Sequence, residues 1–127
     1  MVGFNITKTD VFRTGCNAGL NHADHVVELQ VVKHVLNTYA KGRINDTHLC
    51  QIARVFNDGP NIQIISQEEN RRKKAAVGRW IRRAKLKDGD QDFINRVIDR
   101  WTCLREGFDE DVGWQKDFVA NLDLFCA

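Results

Sequence analysis

The spacing of apolar residues along the chain predicts a mainly helical protein. From Val26 onward, apolar positions recur at steps of three and four residues, which is typical of an amphipathic helix, and the pattern ends near Gly42. A shorter helix is predicted over residues 46–56, with Asn45 or Asp46 as its N-cap. The first half of the chain is therefore expected to contain two helices.

A turn, a short β-strand and a third helix are predicted next. Residues 57–60, NDGP, include the chain's single proline and predict a turn. The following NIQII, residues 61–65, is short and rich in β-branched side chains, which is typical of a strand. Ser66 and Glu69 form the S-x-x-E pattern of a capping box, which predicts a helix over residues 67 to about 86.

Two further amphipathic helices are predicted in the C-terminal part of the chain. Their apolar faces would carry Phe93, Val97, Trp101 and Leu104 in one helix and Trp114, Phe118 and Leu122 in the other. This aromatic spacing predicts core packing. Near the N-terminus, GFNITKTDVF is a candidate edge strand.

Length and composition favour a single soluble domain. A chain of 127 residues that is 43% hydrophobic can bury one core but not two comfortable ones. Its apolar runs are much shorter than the roughly 20 residues that span a bilayer, so no membrane partner is expected. The N-terminal sequence lacks the charged-then-apolar order of a signal peptide, although the chain also fits the mature part of a secreted precursor.

Four cysteines, Cys16, Cys50, Cys103 and Cys126, are widely spaced. Because no C-x-x-C pair occurs, a zinc ribbon or a thioredoxin-like site is not expected. Their even number allows two disulfides in an oxidising compartment, with three possible pairings. The alternative is four buried thiols in a reduced protein. We favour the first interpretation, and with it a secreted domain over a cytoplasmic one.

A basic segment dominates the charge pattern. Residues 71–87 contain nine lysines and arginines and no acid, whereas acids are frequent from Asp88 onward. A solvated helix face usually mixes both signs, so this density predicts a surface that binds phosphates. The alternative partners are an acidic protein and the acidic C-terminal helices of the same chain.

Two asparagines bracket the predicted strand and helix. Asn61 opens the strand, and Asn70 lies one turn into the helix, directly before the basic segment. Asn is unfavourable inside a helix because its side chain competes for backbone hydrogen bonds. Its amide oxygen is, however, a good neutral ligand for Mg²⁺, and together with an Asp it leaves coordination positions for phosphate and water.

The stretch ADHVVEL at residues 23–29, followed by PNIQIISQEENRRKK at residues 60–74, resembles the HNH, or His-Me finger, nucleases. In that family the first strand of a β-hairpin carries Asp-His, the second strand opens with Asn, and the next helix bears a second Asn. DHVVELQ is also similar to D-H-I-x-E-L-Q stretches in secreted bacterial toxin domains and some fungal proteins. The second block resembles part of the HNH domain of RNA-guided nucleases.

The resemblance implies a role for each matching residue. His25 would be the general base that takes a proton from the attacking water. Asp24 and Asn70 would hold one Mg²⁺, or another divalent cation such as Mn²⁺. Asn61 would organise the hairpin loop and help to orient the base, and Lys73 and Arg71 would stabilise negative charge at the scissile phosphate.

The resemblance also implies that the basic helix of residues 71–87 binds DNA or RNA. The side chains expected at the nucleic acid are Arg71, Arg72, Lys74, Arg79, Arg82 and Arg83. Glu28 and Gln30 belong to the matching stretch, but no role follows for them beyond contacts to the ligands. A zinc site formed by His22, His25 and Glu28 is an alternative that lacks the H-E-x-x-H spacing.

The implied fold class is α+β, mainly α with a small β-hairpin, in one domain spanning residues 1–127. A ββα-metal core of about residues 20–87 would carry a helical insertion at residues 26–57, and residues 88–127 would form a C-terminal helical part. The insertion is needed because the family hairpin is usually tight. Its loop-closure cost is acceptable, since that cost grows slowly with length.

Two further departures from the family concern stability and strand geometry. The zinc-binding cysteine pairs of many HNH domains are missing, so packing or disulfides must supply the stability. Successive strand residues point to opposite faces, so Asp24 and His25 can serve one site only at a strand end.

The expected activity is metal-dependent hydrolysis of nucleic acid, on DNA more than on RNA. Nothing in the sequence looks like a base-reading module, so cleavage would be non-specific, which suits a toxin or effector with an inhibitor protein as partner. The alternatives are a ribonuclease on the same scaffold and a catalytically silent module that binds nucleic acid or protein. In the silent case, Asp24 would cap the following helix.

Overall fold

The computed structural model describes residues 22–39 and 44–127, which form two strands and five α-helices. The elements are β1 (His22–His25), α1 (Leu29–Tyr39), α2 (Asp46–Phe56), β2 (Ile62–Ile65), α3 (Gln67–Ile81), α4 (Asp90–Leu104) and α5 (Gly113–Cys126). Short 3-10 turns cover Gly59–Asn61 and Arg105–Gly107. The candidate edge strand near the N-terminus lies outside the described residues. The predicted class, mainly helical with a small antiparallel sheet, is confirmed.

The two strands pair antiparallel although α1 and α2 separate them in the chain. The register runs from His22 opposite Ile65 to His25 opposite Ile62. Just beyond this ladder, the Val26 N–H donates to the Asn61 carbonyl over 2.8 Å. Helix α3 follows β2 directly, so the chain has the order strand, strand, helix with a helical insertion between the strands. The assignment of this unit to the ββα-metal class stays a prediction.

Helix α1 begins later than its apolar pattern predicts, at Leu29 rather than at Val26. The Val26 and Val27 N–H groups are taken by the backbone oxygen and the side-chain oxygen of Asn61, each over 2.8 Å. Because α1 starts only at Leu29, the interpretation of Asp24 as its N-cap is wrong. Asp24 lies within β1 instead.

Local capping sets the bounds of α2 and the start of α3. Asn45 caps α2 by accepting from the His48 N–H, and the His48 ring accepts from the Asn45 N–H, which completes a capping box. Ser66 caps α3 by accepting from the Glu69 N–H over 3.1 Å. The Glu69 carboxylate pairs with Arg96 on α4, so only one half of the predicted capping box at Ser66 forms.

Helix α3 ends at Ile81, not near residue 86 as predicted. Arg83 has a left-handed backbone with φ of 56°. The Ala84 N–H donates to the Arg79 carbonyl and the Arg83 N–H to the Trp80 carbonyl. These two bonds form a Schellman motif, which terminates the helix.

One hydrophobic core joins the insertion to the C-terminal helices. Phe56 at the end of α2 packs against Trp101 and Phe118, with ring centroids 6.0 and 6.2 Å apart, and both partners are almost fully buried. Val31 and Leu36 of α1 belong to the same cluster. The insertion is therefore held by packing on α4 and α5. None of the described helices is long and apolar enough to cross a membrane.

Candidate functional site

All five residues with predicted catalytic or metal-binding roles are buried, where polar groups are costly unless they are paired. The exposed fractions are 7% for Asp24, 4% for His25, 0% for Asn61, 6% for Asn70 and 3% for Lys73. Strand β1 and helix α3 contribute four of these side chains, and the turn before β2 contributes Asn61.

Lys73 lies at the centre of this group. Its Nζ is 2.6 Å from Asp24 Oδ2, donates a hydrogen bond to the His25 carbonyl oxygen, and lies 3.5 Å from Glu28 Oε2. Gln63 on β2 also donates to Asp24 Oδ2, over 3.2 Å. The structure thus brings Lys73 and Asp24 together, with the ammonium buried against carboxylates.

Asn70 lies one turn before Lys73 on α3, so both side chains project from the same helix face. Its Oδ1 is buried and accepts no hydrogen bond from any described residue. A buried acceptor without a donor costs about 1–3 kcal/mol and calls for a physical explanation. A cation bound at this oxygen would supply one.

Glu28 is the main residue of this site to which the sequence assigned no role. It is 5% exposed, and burial raises the pKa of its carboxyl, while Lys73 and a hydrogen bond from Gln30 act in the opposite direction. Gln30 Nε2 donates to Glu28 Oε1 over 2.5 Å and to the Lys74 carbonyl on α3 over 3.2 Å. The only sequence signal for these two residues is their place in the stretch DHVVELQ.

The His25 ring lies against Asn57, at the end of α2. Its Nε2 is 2.8 Å from Asn57 Oδ1. An amide oxygen can only accept, so this contact fits the neutral tautomer in which Nε2 carries the proton and Nδ1 the lone pair. The sequence indicates Asn57 only as a turn residue, and nothing in its spacing predicts this contact. The carbonyl oxygen of His25, the last residue of β1, accepts a hydrogen bond from the Lys73 ammonium.

Asn61 joins the two ends of the insertion through its side chain. Its Oδ1 accepts from the Val27 N–H over 2.8 Å, and its Nδ2 donates to the carbonyls of Phe56 and Val27 over 2.8 and 3.3 Å. These contacts fix the loop on either side of the His25 ring.

Most of the predicted nucleic-acid-binding side chains lie on the surface. Arg71, Arg72, Lys74, Arg82 and Arg83 are exposed. Arg79 instead binds the Asp90 carboxylate with two hydrogen bonds of 2.7 and 2.8 Å. These bonds lower the pKa of Asp90 to about 2 and join α3 to α4. The five exposed side chains are called the basic surface below.

The other metal and cysteine interpretations find no support in the described part of the chain. Residues 22–39 and 44–127 contain no group of three His, Cys, Asp or Glu side chains that could hold a metal ion. Cys103 and Cys126 are free thiols, so the interpretation with two disulfides, which would need all four cysteines, is wrong. Burial raises the pKa of Cys126 to about 12. Cys16 lies outside the described residues.

Comparison with known proteins gives no relative from which a role could be transferred. No protein-family model, curated protein or solved structure matches the chain.

Proposed function

We propose that the chain is a divalent-metal-dependent endonuclease that hydrolyses phosphodiester bonds non-specifically, with DNA favoured over RNA. The observation that carries this proposal is the cluster between β1 and α3. There, the Asp24 carboxylate binds the Lys73 ammonium, and Asn70, with its unpaired amide oxygen, lies one turn before Lys73 on α3. The same helix carries the exposed Arg71, Arg72 and Lys74 of the basic surface.

The residues present fit a hard divalent cation. Asp24 and Asn70 would hold it, because both offer oxygen ligands and the Asn70 Oδ1 has no competing donor among the described residues. The bound cation would stabilise negative charge on the phosphate and on the leaving oxygen. Mg²⁺ or Mn²⁺ satisfies this chemistry.

His25 would act as the general base. Asn57 holds its ring through Nε2, so Nδ1 is the nitrogen that would accept the proton from the attacking water. Asn61 keeps both sides of the loop in place, so the ring position does not depend on a flexible connection. In this arrangement Asn57 and Asn61 position the base and do not take part in proton transfer.

The basic surface would bind the phosphate backbone without reading the bases. Its arginines and lysines contact phosphates through charge, which gives affinity but no sequence information. Arg79 is excluded from this surface because its guanidinium is bound to Asp90. Indiscriminate cleavage suits a secreted toxin or effector, whose producer would need an inhibitor protein.

The test is incubation of the purified chain with plasmid DNA and with structured RNA, with Mg²⁺ and with EDTA. We expect Mg²⁺-dependent cleavage that His25→Ala and Asn70→Ala abolish, while the affinity for DNA stays nearly unchanged. Asn95→Ala is the matched control, because Asn95 is exposed on α4 and bonds only Gln91 among the described side chains. If the folded chain cleaves neither DNA nor RNA, the proposed nuclease activity is refuted.

A further inference from the structure

We propose that Glu28 is a third oxygen ligand of the divalent cation and that the Lys73 ammonium occupies the cation position until the metal displaces it. This inference rests on the proposed function in one respect, the binding of a divalent cation near Asp24 and Asn70.

Lys73 Nζ is surrounded by oxygen atoms, as a bound metal cation would be. Three oxygens converge on it: Asp24 Oδ2 at 2.6 Å, the His25 carbonyl oxygen, and Glu28 Oε2 at 3.5 Å. Two of these oxygens belong to carboxylates four residues apart in the sequence, Asp24 in β1 and Glu28 just before α1. The fold thus directs two negative charges toward one buried position.

Glu28 has the orientation of a ligand that is held from one side. Its Oε1 accepts a hydrogen bond from Gln30 over 2.5 Å, while Oε2 lies toward the Lys73 ammonium and accepts no hydrogen bond from the described residues. Outer hydrogen bonds of this kind commonly orient carboxylates that bind metal ions. Glu28 Oε2 and Asn70 Oδ1 are the two buried acceptors on this site that lack a donor within the described chain.

The charge balance explains why a lysine is buried there. When both carboxyls are ionised, Asp24 and Glu28 carry two negative charges, and one ammonium neutralises only one of them. A divalent cation would neutralise both and thereby release Lys73. The lysine side chain is a flexible four-carbon stem with a point charge, so its head can move while the helix stays fixed.

Displacement would also change what Lys73 binds. In the structure its ammonium is bound between Asp24 and Glu28. If metal binding releases the ammonium, Lys73 becomes available to stabilise the phosphate only when the cation is present. The same exchange would keep the two carboxylates paired while the protein lacks metal.

The first measurement is the binding of Mn²⁺ to the full chain, followed by the electron paramagnetic resonance signal of unbound Mn²⁺. We expect Glu28→Gln and Asp24→Asn each to weaken binding by about tenfold or more, the range seen when groups around a metal are removed. Glu69→Gln is the control, since this acid is partly exposed and pairs with Arg96. Wild-type affinity in Glu28→Gln, with loss in Asp24→Asn, would overturn the assignment of Glu28.

The second measurement tests the exchange and does not require Glu28→Gln to fold. Lys73→Met removes the competing ammonium, so Mn²⁺ should bind more tightly and raise the melting temperature more than it does in the wild type. Lys116→Met, on the exposed surface of α5, should leave both quantities unchanged. Equal or weaker Mn²⁺ binding in Lys73→Met would overturn the proposed displacement.

The outcomes separate this inference from the proposed function. If the chain cleaves DNA but Glu28→Gln does not change Mn²⁺ binding, the role of Glu28 is refuted and the proposed nuclease activity is supported. If Mn²⁺ binding depends on Glu28 but no nucleic acid is cleaved, the role of Glu28 is supported and the nuclease activity is refuted.

Discussion

Replacing Asn61 by Ala should destabilise the protein by more than most single substitutions do. The side chain makes two hydrogen bonds of 2.8 Å, one from the Val27 N–H and one to the Phe56 carbonyl. Val27 and Phe56 are each 1% exposed, so water cannot replace the lost partner. At about 1–3 kcal/mol for each buried group left unpaired, the two bonds predict a loss of about 2–6 kcal/mol.

The loss can be measured as the free energy of unfolding in urea, with circular dichroism as the signal. Asn95→Ala is the control, because Asn95 is exposed on α4 and its replacement should change stability by less than about 0.5 kcal/mol. A loss in Asn61→Ala of about 1 kcal/mol or less would mean that the loop ends are held by their backbone bonds alone. Asn61 would then not be the residue that positions His25.

Three further predictions concern the helix ends and the thiols. Arg83→Gly should stabilise the chain by about 0.5–1 kcal/mol in the same urea assay, because a left-handed residue other than glycine costs about 1–2 kcal/mol and glycine gives back about 0.5–1 kcal/mol. Arg82→Gly, one residue earlier in a helical conformation, should destabilise it, and equal effects at the two positions would contradict the Schellman geometry. Asp90 has its pKa lowered from 3.8 to about 2 by its guanidinium partner, so its contribution to stability is complete above pH 3.8 and is lost as the pH falls through about 2. The difference in melting temperature between the wild type and Asp90→Asn should therefore shrink over that window; a difference that stays constant would exclude the ion pair as its source. Ellman's reagent at pH 8 should label the exposed Cys103 in the folded chain and spare Cys126, whose pKa of about 12 leaves almost no thiolate, whereas rapid labelling of Cys126 would show that this thiol is not buried.

Local signals in the sequence account for the elements that were predicted most closely. Helix α2 has the predicted bounds because local residues determine both of its ends. Asn45 caps its start, and the turn of residues 57–60 ends it. Strand β2 follows the same turn, and its β-branched residues are enough to predict it. Helices α4 and α5 bury the aromatic faces that their periodicity indicates.

The start of α1 and the end of α3 differ from the prediction for reasons that the spacing of apolar residues does not show. Val26 and Val27 continue the apolar pattern of α1, but their N–H groups are bound by Asn61, which lies far along the chain. Helix α3 ends with Arg83 in the left-handed conformation, a position for which glycine would be the usual sequence signal. The start of α1 thus depends on a tertiary contact. The end of α3 depends on a left-handed arginine, an unfavourable backbone conformation that the rest of the structure stabilises.

The candidate site was predicted only as far as the resemblance reached. Asp24, Asn70 and Lys73 were assigned to it by their motif, whereas Glu28 and Asn57 gained partners only in the folded chain. Glu28 lies near Lys73 because β1 packs on α3. The Asn57 side chain reaches His25 because α2 ends beside β1. Neither contact follows from sequence spacing, since in each case the partner lies on a different element.

The insertion between the strands is therefore part of the site and not merely a tolerated loop. Phe56, its last helical residue, is packed in the aromatic core, and the next residue, Asn57, holds the His25 ring. Asn61 ties the Phe56 carbonyl to Val27, two residues after His25. The core between α2, α4 and α5 thus fixes the end of α2, and through it the imidazole. A tight hairpin would position His25 through its own turn, whereas this chain positions it through the packing of its hydrophobic core.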